Sequence, residues 1–425
     1  IRLLLAAKRA DAARAACGRA GVRRAGPPSA SPEYFSLNEI AATALVLIAA
    51  VVAAASTPLV IRFAKRIGAV DRPNERKISN RREMPLLGGL AVMSGCFASL
   101  FAAEVFDLVS ADVMTQVWFF AVGAGVLMLA GAWDDRFDLG PWRKLSIQIA
   151  VAALAIHAGY SVDVFSIPFG DSGVAMVPLW ILWPVSLVWI VGVTNAMNLI
   201  DGLDGLSSGL GAIISLTLAV ICWQGDQWVG AVIGLVLFGA LIGYLPFNFP
   251  PARIFLGDTG SLVIGYGLAL MALEGYQKEA ILAFLVPVLT LAIPLLDTLL
   301  SIVRRLRSGR GVFSADQLHM HHRLLHREGS HKNAVLMLYF LTSCFCMIAV
   351  SFSRLDGWVA FIYLAAVVGV TIRLLRNLDA FSLEVDRTDA SDAANDVEAD
   401  RRSADPPARN FESRMPSDVA DGDLS

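Results

Sequence analysis

Long apolar runs alternate with short polar breaks along most of this chain. Eleven runs are read, at roughly 38–61, 86–106, 115–133, 143–160, 179–198, 206–223, 227–246, 259–275, 280–303, 334–352 and 356–376. Each is about 17–25 residues long, the length that carries a helix across ~30 Å of hydrocarbon. A soluble chain would show its apolar residues in shorter periodic sets. The pattern predicts an all-α polytopic membrane protein with about eleven transmembrane helices, spanning residues 38–376. Residues 1–37 are rich in Ala and Arg and read as a poorly ordered N-terminal extension, either a mis-set start or an amphipathic surface helix. Residues 377–425 carry Asp, Ser, Ala, Arg and Pro with almost no large apolar residues, the composition of a disordered cytoplasmic tail.

Composition agrees: of 425 residues, 56% are hydrophobic and only 17% charged. A net charge of −2 distinguishes no partner, but the placement of the charges orients the chain. Five breaks (107–114, 161–178, 224–226, 276–279 and 353–355) hold only Lys278 and Arg354 as basic residues. The breaks that alternate with them (62–85, 134–142, 199–205, 247–258 and 304–333) are basic, with eight Lys and Arg in 62–85 alone. By the positive-inside rule this second set is cytoplasmic. The five cysteines, Cys17, Cys96, Cys222, Cys344 and Cys346, are scattered and read as small buried hydrophobes, without a disulfide framework or zinc site.

Polar residues at membrane depth are costly and usually functional, and here they gather in a few motifs. Asp134, Asp135 and Asp138 lie in WDDRFDLGPWRK, and Asn195, Asn198, Asp201 and Asp204 in NAMNLIDGLDG. Asn248, Arg253, Asp258, Thr259 and Ser261 lie in FNFPPARIFLGDTGS, Asp297 in PLLDT, and His319, His321, His322 and His326 in QLHMHHRLLH. With eleven spans, every motif falls at the cytoplasmic ends of the helices, which implies one composite site with catalytic loops on that side.

Adjacent carboxylates raise each other's pKa unless a cation holds them ionised, so Asp134-Asp135 suggests a divalent cation or a basic partner such as Arg136 or Lys144. The three-residue spacing of Asn198, Asp201 and Asp204 would align them on one face of a helical segment. GDTGS resembles a turn opening a helix whose free N–H groups welcome phosphate. Histidines and arginines in the 304–333 loop suit a diphosphate. The inventory points to Mg²⁺-assisted phosphoryl chemistry between a soluble diphosphate and a lipid kept in the bilayer. A secondary transporter also embeds acids in helices, but it would bind near the midplane and show repeated halves, whereas these residues keep to one face.

DRPNERKISNRREMPLLGGLAV, the DDRFDL loop, NAMNLIDGLDGLSSG, RIFLGDTGSL, PLLDT and ADQLHMHHRLL stand in one order over residues 38–376. In that order they resemble the polyprenyl-phosphate N-acetylhexosamine-1-phosphate transferases, the superfamily that includes phospho-N-acetylmuramoyl-pentapeptide transferase. The resemblance implies eleven spans in the bacterial cytoplasmic membrane and a site facing the cytoplasm. It implies transfer of sugar-1-phosphate from a UDP-N-acetylhexosamine to undecaprenyl or another polyprenyl phosphate, with release of UMP, initiating lipid-linked envelope glycan synthesis. It also implies Mg²⁺, for which Mn²⁺ can substitute, held by Asn198 and Asp258. Asp134 and Asp135 match paired catalytic carboxylates, and His319, His321 and His322 a catalytic cluster near the diphosphate. Asp201 and Asp204 match positions that hold the nucleoside end of the donor or shape the site, Phe255 an aromatic stacked on uracil, and Lys77 a basic residue of the first loop. Asn195, Asn248 and Asp297 match further substrate-side positions. Membrane lipid is an expected partner, nucleic acid is not, and a homodimer is left open.

Two departures bear on the donor. Ser79 stands where many relatives carry a histidine, and HMHHRLL replaces three consecutive histidines. The second points away from the muramoyl-pentapeptide donor towards UDP-N-acetylglucosamine or a similar small UDP-sugar. A phosphate monoester has its second pKa near ~6, so the lipid phosphate is already a nucleophile at neutral pH. Asp134 and Asp135 are therefore expected to orient the acceptor or support the metal rather than act as an obligatory base. A covalent aspartyl-phosphate route is the competing mechanism. The 304–333 loop is expected to cover the donor, with a groove for the prenyl tail between the spans near Asp134 and Asp297.

Overall fold

The computed structural model describes residues 37–71, 83–162, 179–275, 285–307 and 330–353, with Leu324 and scattered positions from 359 to 373. Nearly all of the 1–37 extension, the 377–425 tail, most of the eleventh run, Lys77, His319, His321 and His322 lie outside the described residues.

Each of the first ten apolar runs forms helix over most of its described residues. In chain order the helices are α1 (Glu39–Ile67), α2 (Gly88–Val105), α3 (Ala111–Phe137), α4 (Pro141–His157), α5 (Leu179–Leu199), α6 (Leu206–Gln224), α7 (Trp228–Asn248), α8 (Asp258–Glu274), α9 (Leu285–Thr290), α10 (Ala292–Arg307) and α11 (His331–Phe352). Among the described residues, seven of them are long and apolar enough to cross a membrane. Between α1 and α2, β1 (Val70–Asp71) pairs antiparallel with β2 (Met84–Pro85), placing Val70 opposite Pro85. This short ribbon is the one departure from an all-α chain among the described residues.

The protein is a polytopic helical membrane protein built around α8. Every residue of α8 from Thr259 to Glu274 is buried, enclosed by α3, α5, α6 and α7. At the periphery, α1 turns Ile40, Leu47, Val51 and Leu59 outward and packs Ala49 and Ala53 inward against α2 and α7. Lipid tails give no hydrophobic drive for helix association, so close backbone packing through small residues takes its place. A Cβ on Gly95 would lie 2.5 Å from the Ala49 carbonyl oxygen, and Gly239 and Gly243 abut the carbonyls of Val46 and Ala50. The cysteines Cys96, Cys222 and Cys346 are free and buried, and Cys344 is free and half-buried.

Three boundaries differ from the hydropathy reading. Helix α1 continues to Ile67, with Lys65 and Arg66 in its last turn and Gly68 as a left-handed cap at φ 72°. Both features favour a helix C-terminus more than hydropathy can register. Helix α3 carries Asp134 and Asp135 in its last turn instead of releasing them into a loop, and stops at Asp138, whose φ is 56°. The ninth run is divided at Leu291 into α9 and α10. Pro294 has no N–H for the Thr290 carbonyl four residues back, and that oxygen instead lies 4.0 Å from the Cys346 thiol.

Helices α3 and α8 are in close backbone contact. A Cβ on Gly131 would come within 2.5 Å of both the Asp258 carbonyl oxygen and the Thr259 nitrogen. Backbone cannot yield as a flexible side chain does, so Gly131→Ala should destabilise the protein by about 1–3 kcal/mol. Gly192→Ala on α5 meets nothing within 4 Å and should be neutral or slightly stabilising, because alanine favours a helix. Thermal unfolding of both variants in one detergent reads the difference. Equal shifts would mean that α3 and α8 are not in backbone contact at this point.

Candidate active site

The amino end of α8 lies inside the protein, where unpaired backbone N–H groups are expensive. Its N-cap, Gly257, has no side chain to offer, and Asp135 of α3 supplies the cap from another helix. Asp135 accepts hydrogen bonds from the Asp258 nitrogen at 2.9 Å and the Thr259 nitrogen at 3.1 Å, and from the Thr259 hydroxyl. The Gly260 and Ser261 nitrogens donate to the Gly257 carbonyl at 3.1 and 3.0 Å. The N–H groups expected to welcome phosphate at GDTGS are therefore already engaged within the protein. A neighbouring carboxylate outcompetes an external anion for them.

Capping places Asp258 opposite α4 and α5. The Lys144 ammonium, in the first turn of α4, bridges Asp134 at 2.8 Å and Asp258. Asp134 uses its other oxygen to accept from the Leu139 nitrogen at 2.8 Å. Asp258 uses its other oxygen to accept from Asn198 Nδ2 at 2.8 Å, and the same amide nitrogen donates to Ser261 Oγ at 2.9 Å. Asp134, Asp135, Asn198 and Asp258, predicted from three separate motifs, are thus one connected cluster. Of the two basic residues offered for the Asp pair, Lys144 fills that role, while Arg136 donates to the Ile67 carbonyl at 2.9 Å and stacks on Phe137.

Asp201 and Asp204 do not continue the helical face of Asn198. Helix α5 ends at Leu199, and residues 200–205 form turns that close at Gly205, φ 74°. Two glycines and two aspartates in six residues favour turn conformations over helix. Asp204 accepts from the Ala252 nitrogen at 3.0 Å, so it holds the loop that leads to Asp258. Asn248 is buried, accepting from Ser208 at 2.6 Å and donating to the Ile254 carbonyl at 2.9 Å. Asn195 donates to Gln148 at 2.6 Å and to the Val191 carbonyl at 2.8 Å. These two amides brace the site from within. Phe255 is half-buried, its nitrogen bonded to the Pro85 carbonyl and its carbonyl to the Gly88 nitrogen. Asp297 is buried on α10, which packs against α5 and α11.

Sequence reasoning offered Lys144 only as a basic partner for the Asp134-Asp135 pair, not as a link to Asp258, and assigned no role at the site to Tyr339. Tyr339 of α11 donates to the Gly205 carbonyl and ties that helix to the turn carrying Asp201 and Asp204. A lysine in the first turn of a helix opposes the helix dipole, and that misfit was the available signal for Lys144. Nothing in the sequence singles out Tyr339 from other half-buried tyrosines.

Among the described residues, five carboxylates (Asp134, Asp135, Asp201, Asp204 and Asp258) share this end of the bundle with one lysine in contact. Burial above all, then the charges of Asp258, Asp135 and Asp204, push the Asp201 carboxyl well above the usual carboxylate range. The surplus of hard oxygen donors suits Mg²⁺. Among the described residues no three His, Cys, Asp or Glu side chains form a metal cage. Mg²⁺ does not require one, since it commonly takes one or two carboxylates and fills its shell with water and substrate phosphate. Asp258, Asn198 and Asp134 fit that pattern.

Truncating Asp135 tests the cap. Asp135→Ala leaves the Asp258 and Thr259 nitrogens without their acceptor and should cost about 1–3 kcal/mol for each group left unpaired. A thermal midpoint within error of wild type would remove Asp135 from this role. The Asp201 shift has a definite sign. Its folded pKa lies above the ~3.9 of an unfolded aspartate, so the folded state retains a proton that the unfolded state releases. Its stabilising contribution is complete below that value and is lost as pH rises towards the folded pKa. The stability of the wild type relative to Asp201→Asn should therefore fall from pH 4 upwards, measured as paired melting curves across pH.

The sequence profile described as glycosyl transferase family 4 matches residues 117–276. The chain is 34% identical over 305 residues to a Bacillus subtilis (strain 168) protein named probable undecaprenyl-phosphate N-acetylglucosaminyl 1-phosphate transferase, covering 72% of this chain and 83% of that one. It is 34% identical over 320 residues to decaprenyl-phosphate N-acetylglucosaminephosphotransferase of Mycobacterium tuberculosis (strain ATCC 25618 / H37Rv), covering 69% and 78%. Over 296 residues it is 30% identical to undecaprenyl-phosphate alpha-N-acetylglucosaminyl 1-phosphate transferase of Escherichia coli (strain K12), covering 68% and 78%. The family match includes the helices that carry Asp134, Asp135, Lys144, Asn198 and Asp258, and the chain belongs to glycosyl transferase family 4.

Proposed function

We propose that this protein transfers N-acetylglucosamine-1-phosphate from UDP-N-acetylglucosamine to a polyprenyl phosphate such as undecaprenyl phosphate, releasing UMP and initiating a lipid-linked envelope glycan. The observation that carries the reading is the Asp134–Lys144–Asp258–Asn198 cluster at one end of an apolar bundle. It agrees with the activity in the names of the relatives. The distribution of Lys and Arg supports a site at the cytoplasmic face of the bacterial inner membrane.

In this reaction an oxygen of the lipid phosphate attacks the phosphorus bonded to the sugar. A new P–O–P linkage forms, the old one breaks, and UMP leaves with the bridging oxygen. One diphosphate replaces another, so the protein's task is positioning and charge neutralisation. Mg²⁺, when bound by Asp258 and Asn198 with Asp134 beside them, supplies positive charge to the donor diphosphate. Asp134 orients the acceptor without removing a proton, because the lipid phosphate is largely dianionic above its second pKa of ~6. Asp135 fixes the amino end of α8. Asp201 and Asp204 shape the nucleoside end, Phe255 offers a ring to uracil, and Lys77 with His319, His321 and His322 supplies positive charge for the diphosphate. Asn195, Asn248 and Asp297 hold the surrounding helices and loops.

The full chain, purified in detergent with Mg²⁺ and undecaprenyl phosphate, should release UMP from UDP-N-acetylglucosamine and not from the UDP-muramoyl-pentapeptide. EDTA should abolish the release. Turnover of the pentapeptide donor alone would overturn the sugar assignment, and turnover of neither would overturn the reading. In the same assay Asp134→Asn should lose on the order of 10²-fold at pH 6.5 and at pH 8.5 alike. Recovery at the higher pH would make Asp134 a base after all.

A further inference from the structure

Every oxygen of Asp134, Asp135 and Asp258 already accepts a protein donor. Asp135 is committed to the α8 backbone, Asp134 to the Leu139 nitrogen and Lys144, and Asp258 to Asn198 and Lys144. A divalent cation bound by Asp258 must share its carboxylate with one of these donors. The Leu139 nitrogen is part of the backbone, and the Asn198 amide is neutral and anchored to Ser261 as well. Lys144 alone carries a charge that repels the cation, and it ends a four-carbon stem that can swing. Its side chain is about one-fifth exposed, so it has room to move.

We propose that the Lys144 ammonium is a resident stand-in for the divalent cation, and that its displacement by the cation couples cation binding to donor binding. The proposal rests on the function proposed above. Lys144 has little reason to remain beside α4 once displaced. It sits in the first turn of that helix, where the dipole disfavours positive charge, and no acidic residue shares the turn. The two carboxylates hold it there, and a cation on Asp258 weakens that hold. The ammonium then needs another anion, and the donor diphosphate is the one that arrives at this site. The proton stays on Lys144 throughout, and no bond is made or broken.

The consequence is reciprocal: the donor should tighten the cation, and the cation the donor, by one common factor. With the donor absent, cation affinity is held down by the charge it must displace. Removing that charge should raise donor-free affinity, an effect opposite in sign to the loss expected of a metal ligand or of a residue that merely keeps the helices in place.

Mn²⁺ binding to the detergent-purified full chain, followed by the loss of the free-ion paramagnetic resonance signal, tests this with and without UDP-N-acetylglucosamine. In the wild type the donor should tighten Mn²⁺ by about tenfold, within the usual 5–150-fold span of coupling between sites. Lys144→Met should bind Mn²⁺ about tenfold more tightly without donor and gain less than the wild type when donor is added, keeping only the direct attraction between cation and diphosphate. Lys144→Arg, which keeps the charge, should retain weak donor-free binding, and its melting curve with that of Lys144→Met verifies folding. Unchanged or weaker donor-free binding by folded Lys144→Met would overturn the proposal and leave the cation reading intact. Absence of Mn²⁺ binding in every variant, with donor or without, would overturn both.

Discussion

The amino end of α8 is buried from Thr259 onward, and protein groups pair its backbone nitrogens. The site depends on how that is done. Asp135 reaches across from α3 to accept from Asp258 and Thr259, and this requires two helix backbones to approach with no side chains between them. Gly131 on α3 and Gly89 at the start of α2 make that approach possible, since a Cβ on either would strike the α8 backbone. The cap, the glycines and the position of Asp258 are therefore one arrangement. With Asp258 fixed by its own backbone nitrogen, Lys144 and Asn198 meet it from α4 and α5.

The same constraint explains the irregular chain around the site. Non-helical backbone at membrane depth is tolerated where other protein groups satisfy it. Residues 85–89 and 255–256 do this for each other: the Phe255 nitrogen donates to Pro85, and the Gly88 and Gly89 nitrogens donate to Phe255 and Leu256. Asn248 and Asp204 hold the intervening loop through Ile254 and Ala252. Residues read as candidates for substrate contact thus carry part of the scaffold. In so crowded a site one carboxylate can position a neighbour and still face a ligand with its remaining lone pairs.

The helices were legible because hydropathy reports transfer into lipid one residue at a time, and among the described residues the first ten apolar runs are helices in their predicted order. Their ends were less so. Asp134 and Asp135 are hydrophilic enough to suggest a loop, yet they remain helical because their carboxyls are satisfied by Leu139, Lys144 and the α8 backbone. The grouping of Asp134, Asn198 and Asp258 was legible from alternation of the breaks, since an antiparallel bundle brings alternate connections to the same end. Apart from Lys144, offered with Arg136 for the Asp134-Asp135 pair, their individual partners were not. That Asp135 would cap a helix 123 residues further on depends on which helices pack together, and spacing along the chain holds no trace of it. The turn at Asp201 was misread as helical because a three-residue spacing fits a helix face and a glycine-rich turn equally well.

Helix dipoles oppose several of the charges that meet at the site. Asp134 and Asp135 occupy the C-terminal turn of α3, where the dipole disfavours negative charge, and Lys144 the N-terminal turn of α4, where it disfavours positive charge. Exchanging the signs would suit each helix better in isolation. Locally consistent sequences place charges the other way, and departures from that consistency concentrate at functional sites. The pairing of Lys144 with Asp134 compensates both misfits at once, so either charge left alone would be held less firmly than in a structural ion pair placed on favourable helix ends. A site that must admit and release charged ligands gains from such loosely held charges. Asp258, by contrast, stands in the first turn of α8, where its charge is favoured. It is the fixed point against which the others can move.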